Sequence, residues 1–436
     1  MRRIILLLVI LLVAALAILS FSRKETGTLA QLAQLVQSKK PRVSAPQVPK
    51  TNAEKLVADN NAFAFSLYQR LREGDSNLIF SPYSISTALA MTYAGARGET
   101  EKQMAKALHF GLPQDKLHPA FNSLDYEFAS RGKDEDGQPY GDFKLLMANS
   151  LWGQKDYKFL PQFLDLVAEN YGAGMRLVDY KNNKNREDAR KAINDWVEKQ
   201  TQEKIKNAVP EGILNDLTRL VLVNAIYFKD QWEHPFSQSD TKPGPFTLLD
   251  GRKITVQMMS LSEHLNYARG KGYQAVNLPY AWNNLSMIIL LPDKGTFRSF
   301  ERALTAKKVL MITEQFKQPE VDLTMPKFKF DASLSMKDTL SALGMPGAFI
   351  LGEANLSGMD GTRDLFIDEV LHKAMIAVDE KGTEAAAATH VFVASGISPR
   401  WDIKAKMIID RPFIFLIRDT KTGAILFLGL VLNPQG

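Results

Sequence analysis

The segment 379–393, which reads DEKGTEAAAATHVFV, restricts what this chain can fold into more than any other stretch. Its four consecutive alanines favour a helix, whereas the threonines and valines around them favour an extended chain. If the segment is a strand, one face carries only small or apolar side chains: Thr383, Ala385, Ala387, Thr389, Val391 and Val393. Such a face could be buried in a sheet without steric cost. We therefore interpret the segment as a strand that is held outside its sheet, with an alanine-rich surface loop as the alternative.

The composition bounds the class of protein. A chain of 436 residues that is 45% hydrophobic and 23% charged can bury a large globular core. The net charge of +6 is modest for this length, and no dense Lys/Arg stripe carries interleaved aromatics, which argues against nucleic-acid binding. Cysteine is absent, so disulfides, thiol chemistry and cysteine-based metal sites are excluded. We predict no metal site and no cofactor.

The N-terminus is typical of an exported protein. Arg2 and Arg3 precede an apolar run over residues 4–19, and small residues provide a cleavage site after Ser22. Residues 1–22 are therefore predicted to be a signal peptide or, if uncleaved, a membrane anchor. Both alternatives place the body of the protein outside the cytoplasm, in an extracellular or periplasmic location. The polar segment 23–52 contains three prolines and is predicted to be a flexible tether.

The remaining residues, 53–436, predict one α+β domain. Helical periodicity dominates its N-terminal portion, for example in the stretch that begins at residue 53 and in the helix that follows Ser81 and Pro82. An almost continuous apolar strand at 219–228 is expected in the middle of a sheet that is covered on both faces. Strands prevail later, and neither a βαβ rhythm nor an internal repeat is present.

Enzyme chemistry finds little support in the sequence. Nucleotide-binding glycine loops, histidine pairs at metal spacing and Gly-x-Ser-x-Gly elbows are all missing. His372 shares its strand face with apolar residues, so we interpret it as a hydrogen-bonded core histidine. Asn224, inside the apolar strand, needs a polar partner if it is buried. We expect Asn224, His372 and a serine from residues 81–86 to form a structural network; a secreted hydrolase is the alternative from another class.

Several ordered blocks resemble the serpin family. They are residues 77–86, 222–236, 321–330 with 340–345, 379–389 and 411–417, and their order and spacing hold from about residue 53 to the C-terminus. The resemblance implies the serpin fold, with three β-sheets, eight or nine helices and an exposed reactive-centre loop at about 380–404. Loop insertion in serpins is an established example of strand addition and of released strain.

The resemblance also implies a function, namely suicide inhibition of a serine or cysteine protease by a monomeric, non-enzymatic protein. The protease would cleave the loop and form an acyl-enzyme, and the cleaved hinge would insert into the largest sheet before deacylation. The implied hinge residues are Glu380, Gly382, Thr383, Glu384, Ala385, Ala386, Ala387, Ala388 and Thr389. Ser81, Ser84, Asn224 and His372 would lie where the sheet opens, and Trp232 where insertion begins. The absence of bulky or charged residues on the inserting face favours an inhibitor over a carrier or chaperone-like serpin.

The bait bond is predicted by the usual loop length of the family. Counting from Glu380 places the scissile bond between Gly396 and Ile397, with bonds at Ser395, Ser398 or Arg400 as alternatives. The apolar and small surroundings favour elastase-like, subtilisin-like or papain-like proteases, whereas a bond at Arg400 would suit a trypsin-like enzyme. Segment 112–128 contributes only Lys116 and His118 as basic or titratable nitrogen groups, which weighs against a polyanion cofactor.

Overall fold

The computed structural model describes residues 33–72, 74–134, 136–139, 141–384 and 404–436. The predicted signal peptide or anchor at 1–22, the distal hinge at 385–389 and the candidate bait bonds at 395–400 lie outside these residues. Among the described residues, no helix combines the length and apolar character needed to cross a membrane.

Ten α-helices occur in the described part of the chain, one more than the upper number predicted, because a single turn forms at Ser357–Asp360. They are α1 (Lys50–Leu71), α2 (Pro82–Tyr93), α3 (Gly98–Ala107), α4 (Gln114–Ala129), α5 (Pro161–Tyr171), α6 (Asn183–Gln200), α7 (Phe297–Arg302), α8 (Ala306–Thr313), α9 (Lys337–Leu343) and α10 (Ser357–Asp360).

Three sheets, here named A, B and C, organise the fold as predicted. Sheet A has the spatial order β1 (Gln34–Val36), β4 (Met175–Val178), β3 (Lys144–Gln154), β5 (Leu220–Gln231), β14 (Gly382–Thr383), β13 (Glu369–Val378) and β12 (Phe328–Ser335). Sheet B contains β2 (Leu78–Phe80), β17 (Ile425–Val431), β16 (Phe413–Asp419), β10 (Leu285–Pro292), β9 (Tyr273–Pro279) and β8 (Asn266–Gly270). Sheet C contains β15 (Lys404–Ile408), β11 (Glu320–Pro326), β7 (Lys253–His264) and β6 (Lys242–Thr247).

Strand β5 is buried on both faces, as its continuous apolar sequence predicts. On one face, Val221, Val223 and Tyr227 pack beneath the apolar stripe of α6 in a separate core cluster. On the other face, Leu222 and Ile226 join the main core, which also contains α2 and sheet B. Sheet A is therefore a covered layer, and any strand that enters it must separate a pair of packed strands.

Helix α2 begins beneath the centre of sheet A. Ser81 is its N-cap and accepts a hydrogen bond from the backbone N–H of Ser84, while Pro82 occupies the first helical position. Every residue of the helix is buried. This start was predicted from the sequence, and it places the Ser81 backbone N–H and the Ser84 hydroxyl against the middle strands.

The prediction of a flexible tether over 23–52 is wrong for residues 33–52. Strand β1 pairs antiparallel with β4 and extends sheet A by one edge strand. Lys40 then forms ion pairs with Asp165 and Glu169 of α5, and α1 begins at Lys50, before the predicted domain boundary. The segment lacks periodicity because it is held by long-range polar contacts, which its own sequence does not reveal.

We expect Arg42→Ala to lower the free energy of unfolding by about 2 kcal/mol, because the substitution removes two hydrogen bonds from the charged side chain to α4. The Arg42 guanidinium donates to Asn122 Oδ1 at 2.7 Å and to Asp125 Oδ2 at 2.6 Å, and it stacks on the ring of Tyr126. Urea unfolding measures the loss. Lys39→Ala, at an exposed neighbouring position, is the control; equal losses for both variants would contradict a clamping role for this segment.

Candidate functional site

Sheet A is forked at its centre. Strands β5 and β13 pair directly and in parallel from Val221–Ile226 against Glu369–Ala374. Beyond this zipped region the two strands separate, and the two-residue strand β14 lies between them, antiparallel to both. The fork shows where a further strand could enter and which hydrogen-bonded pairs it would have to replace.

A tight turn carries the chain from β13 into the fork. Asp379 Oδ1 accepts the backbone N–H groups of Lys381 at 2.9 Å and Gly382 at 3.3 Å. Gly382 passes so close to β5 that an added Cβ would lie 2.1 Å from the carbonyl oxygen of Asp230. Only glycine fits this close approach, so the residue predicted to permit bending has a specific steric reason to be glycine.

Glu380 anchors the same turn by its side chain. Its carboxylate, which is 5% exposed, forms an ion pair with Lys327 at 2.8 Å and accepts a hydrogen bond from Thr241 Oγ1 at 2.8 Å. Burial raises the pKa of Glu380, but the hydrogen bonds from Lys327 and Thr241 outweigh it and leave the pKa below its usual value. The carboxylate therefore stays ionised and holds the base of the hinge.

Thr383 is the first hinge side chain inside the sheet. It is 1% exposed, and its hydroxyl lies 2.6 Å from the hydroxyl of Tyr280. Tyr280 stacks on Trp232 with ring centroids 4.5 Å apart, and the Trp232 indole N–H donates to the carbonyl of Asp379 at 3.0 Å. Trp232 thus lies at the mouth of the fork.

The interpretation of the hinge as a strand stored wholly outside its sheet needs correction. Gly382 and Thr383 are already paired, opposite Gln231 and Asp230 of β5. Glu384 follows with a positive φ of 46° and an ion pair to Lys204 at 2.7 Å. The alternation of side chains in the sequence correctly identified Thr383 as facing inward, but it could not show how many hinge residues already lie in sheet A. Residues 385–389 lie beyond the described residues of the hinge.

Four of the predicted site residues come together beneath the zipped region of sheet A: Ser81, Ser84, Asn224 and His372. Asn224 and His372 are register partners in β5 and β13, and His372 Nδ1–H donates to Asn224 Oδ1. Asn224 Nδ2 donates to Ser84 Oγ, and the backbone N–H of Ser81 donates to His372 Nε2 at 3.1 Å. These bonds join β5 and β13 to the start of α2, so they must rearrange before a strand can pass between the two.

Sequence reasoning missed Asn149, which completes this network. It is the β3 register partner of Asn224, and its Oδ1 accepts hydrogen bonds from Asn224 Nδ2 and Ser84 Oγ. A polar side chain in the middle of a strand is the same signal that identified Asn224. The adjacent strands β3, β5 and β13 therefore place their polar side chains side by side at the same height in sheet A.

His372 is neutral in this network. It is 1% exposed, and burial lowers its pKa to about 3. A neutral ring with one donor and one acceptor matches its two partners, because Asn224 Oδ1 only accepts and the Ser81 N–H only donates. A second proton on the ring would leave Ser81 N–H without an acceptor, which disfavours the charged form further.

We expect acid to destabilise the protein through His372. The pKa of His372 in the folded protein lies below its unfolded value of 6.5. Above pH 6.5 the residue therefore does not destabilise the protein, and the free energy of unfolding decreases as pH falls from 6.5 towards 3. At pH 5 the decrease is about 2 kcal/mol. His372→Gln should remove about this much of the difference in unfolding free energy between pH 8 and pH 5. Substitution of half-exposed His264 by Gln is the control, and an unchanged pH difference in His372→Gln would contradict the assignment.

Asp230 is a second group that sequence reasoning missed. It lies on the inward face of β5, opposite Thr383, and is 5% exposed. Oδ1 accepts the backbone N–H of Gln231 at 2.8 Å, but Oδ2 has no hydrogen-bond partner among the described residues. Burial raises the pKa of Asp230 to about 8. The carboxyl group is therefore protonated at neutral pH at the point where the hinge enters.

The histidine of this site is committed to the hydrogen-bond network. The imidazole of His372 is occupied on both nitrogens, and within the described ranges no group of three or more His, Cys, Asp or Glu residues could hold a metal ion. The geometry supports strand exchange in a sheet, since the contacts of Glu380 and Thr383 anchor the hinge and the bond between His372 and Asn224 joins the two strands that an inserted strand would separate.

Known proteins are similar to this chain over most of its length. The family described as "Serpin (serine protease inhibitor)" matches residues 58–434. Leukocyte elastase inhibitor A of Mus musculus is 39% identical over 394 residues, which cover 87% of this chain and 100% of that protein. The crystal structure of the thermophilic serpin tengpin in its native state superposes with a TM-score of 0.79 at 28% identity and covers 92% of this chain and 100% of that one. Human thyroxine-binding globulin gives a TM-score of 0.78 at 30% identity, with coverage of 88% and 100%.

Proposed function

The chain belongs to the serpin family, and we propose that it inhibits serine proteases as a suicide substrate whose cleaved hinge inserts into sheet A. The protease serine would attack the bait carbonyl, form an ester bond and release the residue beyond the bait bond as a new amino terminus. Water would normally hydrolyse the ester. Insertion competes with this hydrolysis, because a protease carried along with the inserting strand no longer holds its active site in working geometry.

The observation that carries this proposal is the position of β14. The hinge already occupies the fork between β5 and β13, with Thr383 opposite Asp230. Continuation of this antiparallel register would place residue 389 opposite Asn224. A threonine hydroxyl at that point could replace the hydrogen bonds lost when Asn224 and His372 separate. The inserting face thus combines small side chains with one hydroxyl at the level of the buried network.

We propose that the bait bond joins Gly396 and Ile397, with Ser395, Ser398 and Arg400 as the alternative positions. The small and apolar residues around it suit elastase-like, subtilisin-like or papain-like proteases, and a trypsin-like enzyme would require the bond at Arg400. The names of the relatives, leukocyte elastase inhibitors, support the elastase-like class. All of these positions belong to the segment of the loop outside the described residues.

We also propose that the protein is exported. The support is the sequence of residues 1–22, in which two arginines precede an apolar run and small residues. Cleavage after Ser22 would release a secreted inhibitor, whereas an uncleaved segment would tether it to a membrane. The N-terminal sequence of the mature protein distinguishes the two cases, because the tethered form retains Met1 or Arg2.

A protease panel tests the inhibitory function. The full chain is incubated with elastase-like, subtilisin-like, papain-like and trypsin-like enzymes and run on a denaturing gel. We expect a covalent band at the summed mass of inhibitor and protease for at least one serine protease, and sequencing of the released C-terminal peptide identifies the bait bond. Cleaved protein should also unfold at a much higher temperature than intact protein, because insertion releases a kinetically trapped fold.

The alternatives predict different results in the same panel. A non-inhibitory carrier would give loop cleavage without a covalent band and without thermal stabilisation. A hydrolase would turn over a substrate without either change. Clean cleavage by every protease in the panel, with no covalent band, would contradict the inhibitory function.

A further inference from the structure

The hinge enters sheet A beside a carboxyl group that lies among aromatic rings. Asp230 of β5 is 5% exposed and lies opposite Thr383 of β14. Phe228 and Trp232, two residues before and after it, share its inward face. Both rings pack against Tyr280, with centroid distances of 5.0 and 4.5 Å. A carboxylate in this aromatic pocket would have little access to water.

Asp230 forms no ion pair with any described residue. Oδ1 accepts the backbone N–H of Gln231, and Oδ2 has no hydrogen-bond partner in the same part of the chain. The charged groups around the fork are paired with one another: Glu384 with Lys204, Lys229 with Asp142, Glu380 with Lys327 and, beyond the end of β5, His234 with Glu263. Glu384 and Lys229 alternate with the inward residues of their strands and therefore point towards α6. The Tyr280 hydroxyl is neutral, because burial raises its pKa well above the ordinary value. An ionised Asp230 would therefore lack a cationic partner.

Thr383 closes the side of the aromatic pocket that faces the fork. It belongs to the two-residue strand β14, and its hydroxyl lies 2.6 Å from the hydroxyl of Tyr280. The turn before β14 is fixed by the side chains of Asp379 and Glu380. Glu384, directly after β14, has a positive φ of 46° that residues with a side chain seldom adopt. The cover over the carboxyl group is thus a short segment that can move while the turn stays in place.

We infer that Asp230 is a proton-controlled gate for the hinge. With a proton on its carboxyl group, Asp230 accepts Thr383 beside it. Without that proton, Gly382 and Thr383 leave the fork, and water enters to solvate the carboxylate. Ionisation behind a closed hinge would bury an unpaired charge, whereas withdrawal gives up the pairing of two residues. The free part of the reactive-centre loop is therefore longer at high pH. This movement is a property of the intact chain and does not depend on the proposed protease inhibition.

The direction of the pH effect follows from the surroundings of the carboxyl group. Burial raises the pKa of Asp230 to about 8 while the hinge is closed, whereas a solvated aspartate has the ordinary value of 3.8. Between these two values, withdrawal of the hinge releases a proton. The ratio of withdrawn to closed hinge therefore rises by up to about tenfold for each pH unit. It is lowest below about pH 4 and becomes constant above about pH 8.

Amide hydrogen exchange of the intact full-length chain tests the gate. The Glu384 N–H donates to the Ala377 carbonyl at 2.7 Å, so it exchanges when the hinge withdraws. Because exchange itself accelerates with pH, the rate in the wild type is divided by the rate in Asp230→Asn at the same pH. We expect this ratio to rise by up to about tenfold per pH unit from about pH 6 to about pH 8. Asp331→Asn, which changes an exposed side chain of β12, is the control and should exchange as the wild type does.

Two results would overturn the inference. One is a ratio that stays constant over this pH range. The other is exchange of Glu384 that is no faster, after correction for intrinsic rates, than exchange of the β5 amides at 221–226, because Glu384 would then report global unfolding. Asp230→Ser replaces Asp230→Asn if thermal unfolding shows that the asparagine variant is not folded. No protease takes part in these measurements, so a failure of the gate leaves the proposed function to be decided separately by the covalent-complex assay.

Discussion

Thr383→Arg is expected to convert the inhibitor into a substrate, lowering the yield of covalent protease complex at least tenfold while loop cleavage continues. Thr383 is 1% exposed, and its hydroxyl lies against Tyr280 between β5 and β13. In the intact variant the new side chain can leave the fork with the loop, whereas insertion must bury its guanidinium between β5 and β13, where it pairs with Asp230 only by ionising a carboxyl group whose pKa burial raises to about 8. A burial cost of several kcal/mol slows insertion, because each 1.36 kcal/mol slows a step about tenfold. Hydrolysis of the acyl-enzyme then outruns insertion.

The measurement is the number of inhibitor molecules consumed per protease molecule inactivated. Thr383→Ala is the matched control, because alanine fits the same space and should retain most of the wild-type complex yield. Thermal unfolding of both intact variants shows whether the native fold is preserved. Wild-type complex yield in Thr383→Arg would contradict insertion at this fork, even if the protein still inhibits by another route.

The polar network beneath sheet A was predictable because its residues stand out locally. Asn224 interrupts an apolar strand, and Ser81 precedes a proline at the start of a helix, so both types of environment are visible in a window of ten residues. His372 was identified because it alternates with apolar residues on one face of its strand. The structure joins them at one level of sheet A. Asn149 carries the same signal, but its strand is half exposed and reads less clearly as buried.

The contacts that hold the hinge could not be predicted in the same way. Tyr280 follows β9 and lies about a hundred residues before Thr383 in the chain. Lys327 lies between two strands of different sheets and reaches Glu380 across the fold. These partners depend on the topology of sheets A, B and C, and no local pattern encodes it. The extent to which the hinge lies in sheet A could not be predicted either, because the same alternating sequence is compatible with both a loop and an inserted strand.

The N-terminal segment shows the opposite error, in which low periodicity was interpreted as lack of structure. Residues 34–36 form an edge strand that is set by its pairing with β4. Ser38, Lys40 and Arg42 are then held by acidic or amide side chains of α4 and α5. A polar stretch with prolines can be ordered when its partners are supplied from elsewhere, and composition alone does not contain those partners.

Asp230→Asn is expected to stabilise the intact protein at pH 8 by up to about 5 kcal/mol and to have little effect at pH 4. The folded pKa of Asp230, about 8, lies above the ordinary value of 3.8. Between these two values the folded state keeps a proton that the unfolded chain has lost, so stability falls steadily as pH rises from about 4 to 8. Asparagine mimics the protonated acid, and it removes this dependence on pH.

Urea unfolding of the wild type and Asp230→Asn at pH 4, 6 and 8 measures the effect, and the gain should grow at each step. Asp331→Asn is the control, because Asp331 lies on β12 of the same sheet with 58% of its side chain exposed and should change stability little at any pH. A gain that is equal at all three pH values would show that the amide acts through a new hydrogen bond. A loss at pH 8 would show that the carboxylate of Asp230 is ionised and stabilising, which would contradict its burial as a neutral acid beside the hinge.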